Sequence, residues 1–236
     1  MTSPLWIHIK PGVKLPLPPS PSLCLTAFAI AASSSCGQAS VLNFDDLVLG
    51  NYGAIPDTYG DNLPGTPDIT IDYRTVNPGD NSTVAPNLLL WNSGYGDLVS
   101  VPFPTANGDL AEISLVPATG FYVTLLSFDY AGYGSGTSGQ TLRITDASYN
   151  VLVDYSPATF PPNPIGHFSA FPGQVSSGTL RIQFGPDWNS AIDNIVFGQV
   201  PIPEPSSVVG ITTFGLLAWA GLRKRQDARR ANKLTV

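Results

Sequence analysis

The central part of this 236-residue chain has few basic residues and no cysteine. Between residues 40 and 200 there is no lysine, and three arginines stand against fifteen acidic residues. Because phosphate groups need cationic partners, such a segment disfavours nucleic acid and anionic membrane surfaces, and we expect no nucleic-acid partner. Both cysteines, Cys24 and Cys36, precede it, which excludes a disulfide framework, a thiolate metal site and a cysteine nucleophile from the segment.

Residues that usually carry catalysis are also scarce in this segment. Its only histidine is His167, and no serine has the Gly-x-Ser-x-Gly setting of a nucleophile elbow. A zinc site would need more histidine or cysteine than the segment contains. Its acids are Glu112 and fourteen aspartates, most of them in turn-like contexts where aspartate caps the backbone. We expect no enzymatic activity. The open alternative is a secreted polysaccharide-acting enzyme of jelly-roll fold, which needs two facing carboxylates about 5–10 Å apart.

Helical periodicity is almost absent from residues 40–200, whereas short strand patterns recur between Gly, Pro and Asn turns. Residues 69–73 alternate cleanly, which places Ile69, Ile71 and Tyr73 on one face of a strand. Strands are predicted over residues 41–44, 69–73, 88–91, 98–101, 111–116, 121–130, 141–145, 151–155, 179–184 and 191–197. Short strands without helices predict an all-β fold, an antiparallel two-sheet sandwich of jelly-roll type.

Spaced glycines over residues 134–139 are typical of dinucleotide-binding loops, but that chemistry needs a helix after the last glycine. The following residues, 140–144, alternate as a strand, so we interpret the segment as a glycine-rich loop. A second turn, residues 147–150, is predicted to join two strands into a hairpin.

The N-terminal segment has the composition of a secretory signal. Lys10 and Lys14 are its only lysine or arginine residues, residues 23–32 are an apolar stretch, and small residues precede position 40 where a signal peptidase would cleave. We predict a signal peptide over residues 1–39, followed by a secreted β-sandwich domain over residues 40–199.

Residues 200–236 combine three unlike features in order. Pro203-Glu204-Pro205 predicts an extended, accessible spacer, because proline fits neither a helix interior nor a strand ladder. Residues 208–222 are uncharged and mostly apolar, somewhat short of the roughly 20 residues that cross a bilayer. Arg223-Lys224-Arg225 opens a basic tail, which the positive-inside rule places in the cytoplasm. We predict a single transmembrane helix with the body of the protein outside the membrane.

This order of Pro-Glu-Pro turn, short apolar span and basic end resembles the PEP-CTERM sorting signal of Gram-negative bacteria, over about residues 200–226. The resemblance implies that exosortase, a membrane-embedded cysteine transpeptidase, recognises the tail and removes it during delivery to the cell surface or an extracellular polysaccharide matrix. The span departs from the family pattern in carrying Thr212, Thr213 and Trp219 where leucine and glycine are common. The open alternative is a plain membrane-anchored surface domain that keeps its C-terminus.

Residues 41–46 and 192–197 resemble the edge strands of carbohydrate-binding-type jelly rolls. If the first and last strands are neighbours, Asp45 or Asp46 shares a structural calcium ion with Asp193, since calcium takes six to eight oxygen ligands. The open alternative is that these acids are solvated charges at strand edges.

Aromatic side chains are frequent in the predicted loops, beside amide and carboxylate groups. We predict ligand binding by Trp91, Tyr95 and Trp188, because aromatic faces with planar hydrogen-bonding groups suit extracellular polysaccharide. Further loop aromatics are Tyr52, Tyr59 and Tyr133, and the polar neighbours are Asn92, Asp187 and Asn189. The open alternative is that Trp91 and Tyr133 plug the core of the sandwich or its ends.

Together these features predict an exported protein of a Gram-negative bacterium, tethered to the inner membrane before exosortase processing and then held at the cell surface or in the matrix. Its expected role is a structural, adhesive or glycan-associated module of a biofilm exopolysaccharide.

Overall fold

The computed structural model describes residues 38–203, and all of the regular secondary structure in that range is β-strand. The strands are β1 (Ala39–Leu42), β2 (Gly53–Ala54), β3 (Ile69–Val76), β4 (Thr83–Ala85), β5 (Leu89–Trp91), β6 (Val101–Phe103), β7 (Leu110–Pro117), β8 (Phe121–Gly132), β9 (Thr137–Thr145), β10 (Val151–Asp154), β11 (Ala158–Phe160), β12 (Phe168–Ala170), β13 (Gln174–Ser176), β14 (Leu180–Gly185) and β15 (Ser190–Pro201). The predicted all-β class is confirmed for this range. A search of the same range finds no apolar helix of bilayer-spanning length.

Several predicted features lie outside the described residues. They are the signal peptide up to residue 37, the apolar span over residues 208–222, two residues of the sorting motif (Glu204 and Pro205) and the basic residues Arg223, Lys224 and Arg225. The third residue of the motif, Pro203, is described and exposed, two positions after the end of β15.

The strands form three antiparallel sheets. The five-stranded sheet has the order β1-β15-β8-β12, with β13 also paired to β8. The seven-stranded sheet has the order β10-β9-β14-β7-β3-β4, with β11 also paired to β9. A three-stranded sheet, β2-β5-β6, was not predicted.

The chain crosses several times between the two larger sheets. The chain passes from β7 in the seven-stranded sheet to β8 in the five-stranded one and back to β9, and it crosses again between β14 and β15. This alternation resembles a jelly roll, in which two Greek keys wrap around one core. The predicted antiparallel two-sheet sandwich is confirmed, and the three-stranded sheet is an addition to it.

The hydrophobic core is built by residues of both larger sheets. Ile69, Ile71 and Tyr73 are buried on one face of β3, as the alternation predicted. The Tyr73 hydroxyl donates to the Tyr59 carbonyl at 2.8 Å, which satisfies its polar atom inside the core. Fully buried aromatic rings also come from Phe44, Phe128, Phe160, Phe184 and Phe197.

Two predicted strand pairings are confirmed. β1 pairs with β15, with Leu42 opposite Ile195, so the first and last strands are neighbours. β9 and β10 form the predicted hairpin, and the side chain of Asp146 closes its turn by accepting from the backbone N–H of Ser148 and Asn150.

The strand predicted over residues 98–101 is wrong in its bounds. β6 begins only at Val101, and the residues before it form a tight turn in which the Leu98 N–H donates to the Tyr95 carbonyl at 3.1 Å. This turn is the part of the fold that brings Tyr95 to the site described next.

Candidate functional site

Seven residues enclose a cavity of about 170 Å³, which we call the aromatic pocket. They are Tyr52, Trp91, Tyr95, Phe103, Tyr133, Trp188 and Asn189. The three residues that the sequence predicted to bind a ligand, Trp91, Tyr95 and Trp188, all lie in this lining, although they are far apart in the chain.

The pocket lies where the three-stranded sheet meets one end of the β8–β15 pair. Trp91 ends β5, Phe103 ends β6 and Tyr52 immediately precedes β2. On the other side, Tyr133 directly follows β8, and Trp188 lies two residues before β15. Strand ends therefore position most of the rings, which places them on a rigid framework rather than on long loops.

The aromatic rings hold one another edge to face. The ring centroids of Tyr52 and Trp91 are 5.2 Å apart at an interplanar angle of 87°, and those of Trp91 and Tyr133 are 6.0 Å apart at 89°. Phe103 and Trp188 are 5.9 Å apart at 80°. Such edge-to-face pairs add roughly 0.5–1.5 kcal/mol each beyond the burial of area. The walls of the pocket therefore support one another.

Exposure separates the base of the pocket from its rim. Phe103 and Tyr95 are 2% and 4% exposed, whereas Tyr52 and Tyr133 are 55% and 41% exposed. The two outer tyrosines leave aromatic surface open to solvent, which a monomer core does not require. The alternative that such rings plug the sandwich core or its ends describes the buried Phe103 and Tyr95, and the 41% exposure of Tyr133 fits it only at an end of the sandwich.

Two hydrogen-bond donors of the pocket residues have no partner in the described part of the chain. The indole Nε1–H groups of Trp91 and Trp188 are both buried and unpaired. Most buried polar groups are hydrogen-bonded, and an unpaired one costs about 1–3 kcal/mol. Neither indole N–H is satisfied by another group of residues 38–203.

The Tyr95 side chain links two walls of the pocket. Its hydroxyl donates to the backbone carbonyl of Trp188, and burial raises the pKa of this hydroxyl well above that of a free tyrosine. The preceding residue, Gly94, has φ of +88°, and a Cβ atom there would lie 2.4 Å from Cε2 of Tyr133. Glycine at this position lets the Tyr133 ring pack against the backbone.

The segment before β15 is fixed by polar contacts. The side chain of Asp187 accepts from the Asn189 N–H at 2.9 Å, and the Asp187 N–H donates to Gln140 Oε1 at 3.1 Å. The Asn189 carbonyl in turn accepts from the Tyr133 N–H at 3.0 Å. Asp187 therefore holds the backbone of the segment that carries Trp188 and Asn189, and it is not part of the pocket lining.

The three predicted calcium ligands lie near the β1–β15 edge, each with its own partner. Asp45 accepts from the Ser100 N–H at 3.1 Å, and Asp46 accepts from the Tyr59 hydroxyl. Asp193 is 1% exposed and accepts from a backbone N–H at 3.4 Å, and its burial raises its pKa to about 7. Within residues 38–203 no three His, Cys, Asp or Glu side chains are grouped to hold a metal ion. The shared calcium site stays a prediction.

Tyr59 is absent from the aromatic pocket and borders a second cavity, of about 320 Å³, beside β1. Its hydroxyl donates to Asp46 and contacts the Asn43 carbonyl. Asn92 is also used elsewhere, since its side-chain amide donates to the Leu49 carbonyl at 2.8 Å.

Phe103 is the pocket residue that the sequence did not indicate. It stands in Val101-Pro102-Phe103, where proline limits a strand to a sheet edge. That signal marks an edge strand but does not say which sheet the strand joins, so the position of Phe103 at the base of the pocket was not predictable from it.

No protein-family model matches the chain, and no curated protein sequence matches it. Among solved structures, the chain is similar to the family 11 carbohydrate-binding module from Clostridium thermocellum, in complex with a beta-1,3-1,4-mixed-linked tetrasaccharide. The identity is 13%, the TM-score is 0.25, and the match covers 72% of this chain and 99% of the module.

Two further structures are similar at the same level. The N-terminal cellulose-binding domain of Cellulomonas fimi beta-1,4-glucanase C has 15% identity and a TM-score of 0.24, over 64% of this chain and 99% of that domain. The enzymatically active domain of bacteriophage CBA120 tailspike protein 4 has 12% identity and a TM-score of 0.24, over 64% of this chain. The match spans only 21% of the tailspike chain. Likeness this distant says nothing about what the present chain binds.

Proposed function

We propose that residues 40–199 form an exported glycan-binding module whose aromatic pocket takes one sugar ring of a neutral polysaccharide. The observation that carries the proposal is the convergence of six aromatic side chains and Asn189 on one cavity, with two unpaired indole N–H groups among them. An apolar cavity of about 150 Å³ is known to hold a benzene ring. The aromatic pocket, at about 170 Å³, therefore suits a single six-membered ring.

The chemistry of the lining suits a sugar ring. Aromatic faces cover the C–H surfaces of a pyranose, while polar groups at the edges bond its hydroxyls. The Trp91 and Trp188 indoles act only as donors, whereas the Asn189 amide both donates and accepts. The hydroxyl groups of a sugar ring both donate and accept, so their chemistry matches groups of these kinds.

The charge of the domain favours a neutral polymer over an acidic one. The pocket lining contains no charged side chain, and residues 40–200 carry fifteen acids against three arginines. Such a negative domain repels a polyuronate at low ionic strength.

The absence of a carboxylate among the lining residues also favours binding without hydrolysis, because glycosidases work with a pair of acids. Assay of reducing ends after incubation with a bound polysaccharide distinguishes this proposal from the enzyme alternative.

The binding proposal is tested by affinity gel electrophoresis of the full chain, in mild detergent, through gels containing neutral β-glucan, neutral galactan or polygalacturonate. We expect retardation in at least one neutral gel and a loss of about tenfold or more in affinity for W188A, as for other central aromatic contacts. The control is F171A, because Phe171 is an aromatic residue with 76% exposure and lies outside the pocket. Equal mobility of the two variants, or no retardation by any neutral polymer, contradicts the proposal.

We also propose that the C-terminal tail directs the module to the surface or matrix as an exosortase substrate, which gives it a structural or adhesive role in exopolysaccharide. The support is the order of Pro203-Glu204-Pro205, the apolar stretch and Arg223-Lys224-Arg225 in the sequence. Intact mass of the protein from its native host, with and without exosortase, tests this. We expect the basic tail to be missing only when the enzyme is present. A tail that persists through Val236 in both strains indicates a plain anchored domain.

A further inference from the structure

The connection between β5 and β6 carries Tyr95 into the aromatic pocket, and we call residues 92–100 the Tyr95 segment. Tyr95 is buried at its pocket end, where its hydroxyl donates to the Trp188 carbonyl. Two residues further on, the side chain of Asp97 is 62% exposed. The segment therefore joins a wall of the pocket to a carboxylate on the surface.

Backbone contacts hold the Tyr95 segment against the residues that precede β12. Gly96 has φ of +67°, and a Cβ atom there would lie 2.5 Å from the Gly166 carbonyl oxygen. Gly166 has φ of +95°, and a Cβ atom there would lie 3.3 Å from Asp97 Oδ1. No side chain fits between the two stretches, so a displacement of one displaces the other.

His167 bridges the Tyr95 segment to the five-stranded sheet. Its Nδ1 lies 2.9 Å from Asp97 Oδ1, and its Nε2 lies 3.6 Å from Asp129 Oδ1. Asp129, in β8, is itself held by the Ser169 hydroxyl at 2.6 Å and the Asn194 amide at 3.0 Å. One end of the bridge is therefore fixed in the sandwich, and the other end holds Asp97.

The titratable groups facing this imidazole are all carboxylic acids: Asp97 of the Tyr95 segment, Asp129 of β8 and Asp193 of β15. The hydrogen bond to Asp97 and these negative charges raise the pKa of His167 above its ordinary value, and the same hydrogen bond lowers the pKa of Asp97. The imidazolium bridge is therefore complete below the raised pKa of the histidine and is lost as the pH rises through it.

We infer that His167 is a positioning residue for the aromatic pocket: its protonated ring holds Asp97 to Asp129, sets the place of Tyr95, and makes glycan binding weaken as the pH rises. Only the glycan part rests on the proposed function. The part that links His167 to Tyr95 and Trp188 stands without a ligand.

The first test is a pH titration of the full chain by NMR, from about pH 5 to pH 9, observing the His167 imidazole and the Trp188 indole N–H. We expect the indole resonance to move with the same midpoint as His167. D97N should shift both midpoints down toward the ordinary histidine value of about 6.5, and H167Q should abolish the movement. The control D57N removes an exposed carboxylate in another loop and should leave both midpoints unchanged.

Two outcomes of this titration overturn the inference. One is a pH-dependent movement of the Trp188 indole that survives H167Q. The other is its loss in D193N while His167 still titrates, because the buried Asp193, whose pKa is raised to about 7, would then be the group that controls the pocket.

The second test is affinity electrophoresis in the neutral β-glucan gel at pH 6 and pH 9. Loss of one partly exposed ion pair should weaken binding about two- to fivefold at the higher pH, and H167Q should bind equally at both. Equal binding of the unmodified chain at both pH values overturns the pH dependence. No binding at either pH refutes the glycan proposal instead, and the NMR titration then decides the role of His167.

Discussion

At the scale of single residues, a substitution at Trp188 is expected to affect glycan affinity and folding stability differently, because its buried indole N–H has no partner in the described residues. Phenylalanine keeps an apolar ring and removes this donor. We expect W188F to change the free energy of unfolding by no more than about 1 kcal/mol, because removal of the unpaired donor offsets part of the packing lost with the smaller ring. Glycan affinity should fall roughly three- to tenfold, the value of one hydrogen bond.

Urea unfolding and affinity electrophoresis measure the two effects of W188F separately. W219F is the matched control, since it makes the same chemical change in the C-terminal tail, beyond residues 38–203, and should alter neither quantity. A variant that loses stability while its affinity stays unchanged would assign the indole N–H to the fold rather than to a ligand.

Gly94 shows how a residue without a side chain shapes the pocket. Alanine there must adopt φ near +88° and place its methyl group 2.4 Å from Cε2 of Tyr133, closer than van der Waals contact allows. We expect G94A to lower the free energy of unfolding by about 1–3 kcal/mol and to weaken glycan binding, because Tyr133 has to move. The control is G120A, where φ is +93° but nothing lies within 4 Å of the added methyl group. Urea unfolding that shows equal losses for both variants, with equal binding, would contradict the role of Gly94.

Asp193 makes stability depend on pH in a definite direction. Its folded pKa of about 7 lies above the ordinary value of about 3.9, so the folded state binds the proton more tightly than the unfolded chain. The contribution of Asp193 to stability is therefore greatest below about pH 4 and falls as the pH rises to about 7. This rise in pKa corresponds to on the order of 4 kcal/mol.

Asparagine at this position imitates the protonated acid. The stability of D193N relative to the unmodified chain should therefore increase between about pH 4 and pH 7 and stay at that higher value above about pH 7. Urea unfolding at several pH values measures the difference. A difference that stays constant with pH would mean that Asp193 is charged in the folded protein throughout.

At the scale of elements, the pairing of β1 with β15 brings the predicted calcium ligands to one edge of the sandwich. If calcium binds there, millimolar calcium should raise the melting temperature of the unmodified chain. At a calcium concentration ten times the dissociation constant, the free energy of unfolding should rise by about 1.4 kcal/mol. D193N should not respond, and magnesium should have little effect because it needs a tighter octahedral site. Calorimetry in which both proteins respond equally would place the ion elsewhere.

The sequence predicted the longer elements but only some of the shorter ones, such as β5. Strands such as β3 and β7 carry eight residues each, enough for an alternating pattern to identify them. β2 has two residues, and β11, β12 and β13 have three each, in a proline-rich part of the chain. Strands that short have no readable period, and their positions follow from the long strands they pair with.

The candidate site was predictable as a set of residue types but not as an arrangement. Aromatic residues in loops pointed to Trp91, Tyr95 and Trp188, because large rings outside a core pattern need another explanation. Their convergence depends on the three-stranded sheet and on the crossing from β14 to β15, which are tertiary features. The bridge by His167 to Asp97 also joins residues far apart in sequence, so no local pattern indicates it.

At the scale of the whole molecule, the excess of acids over arginines governs which polymers can approach. We expect affinity for a neutral glycan to change little when the ionic strength is raised from low to about 1 M, because the pocket lining is uncharged. Polygalacturonate should cause no retardation at low salt, where repulsion extends furthest. Gels run at both salt concentrations check this, and strong salt-sensitive retardation by the acidic polymer would contradict it.

The end of β15 also limits the length of any tether to a membrane span predicted after it. β15 runs to Pro201, and the next residue, Ile202, still donates its N–H to the Gly120 carbonyl at 2.7 Å. If the predicted span begins at residue 208, the six intervening bonds reach at most roughly 22 Å even when fully extended. With so short a linker, the domain would stay beside the bilayer. A membrane-embedded transpeptidase would then have to cleave the linker close to a folded β-sandwich.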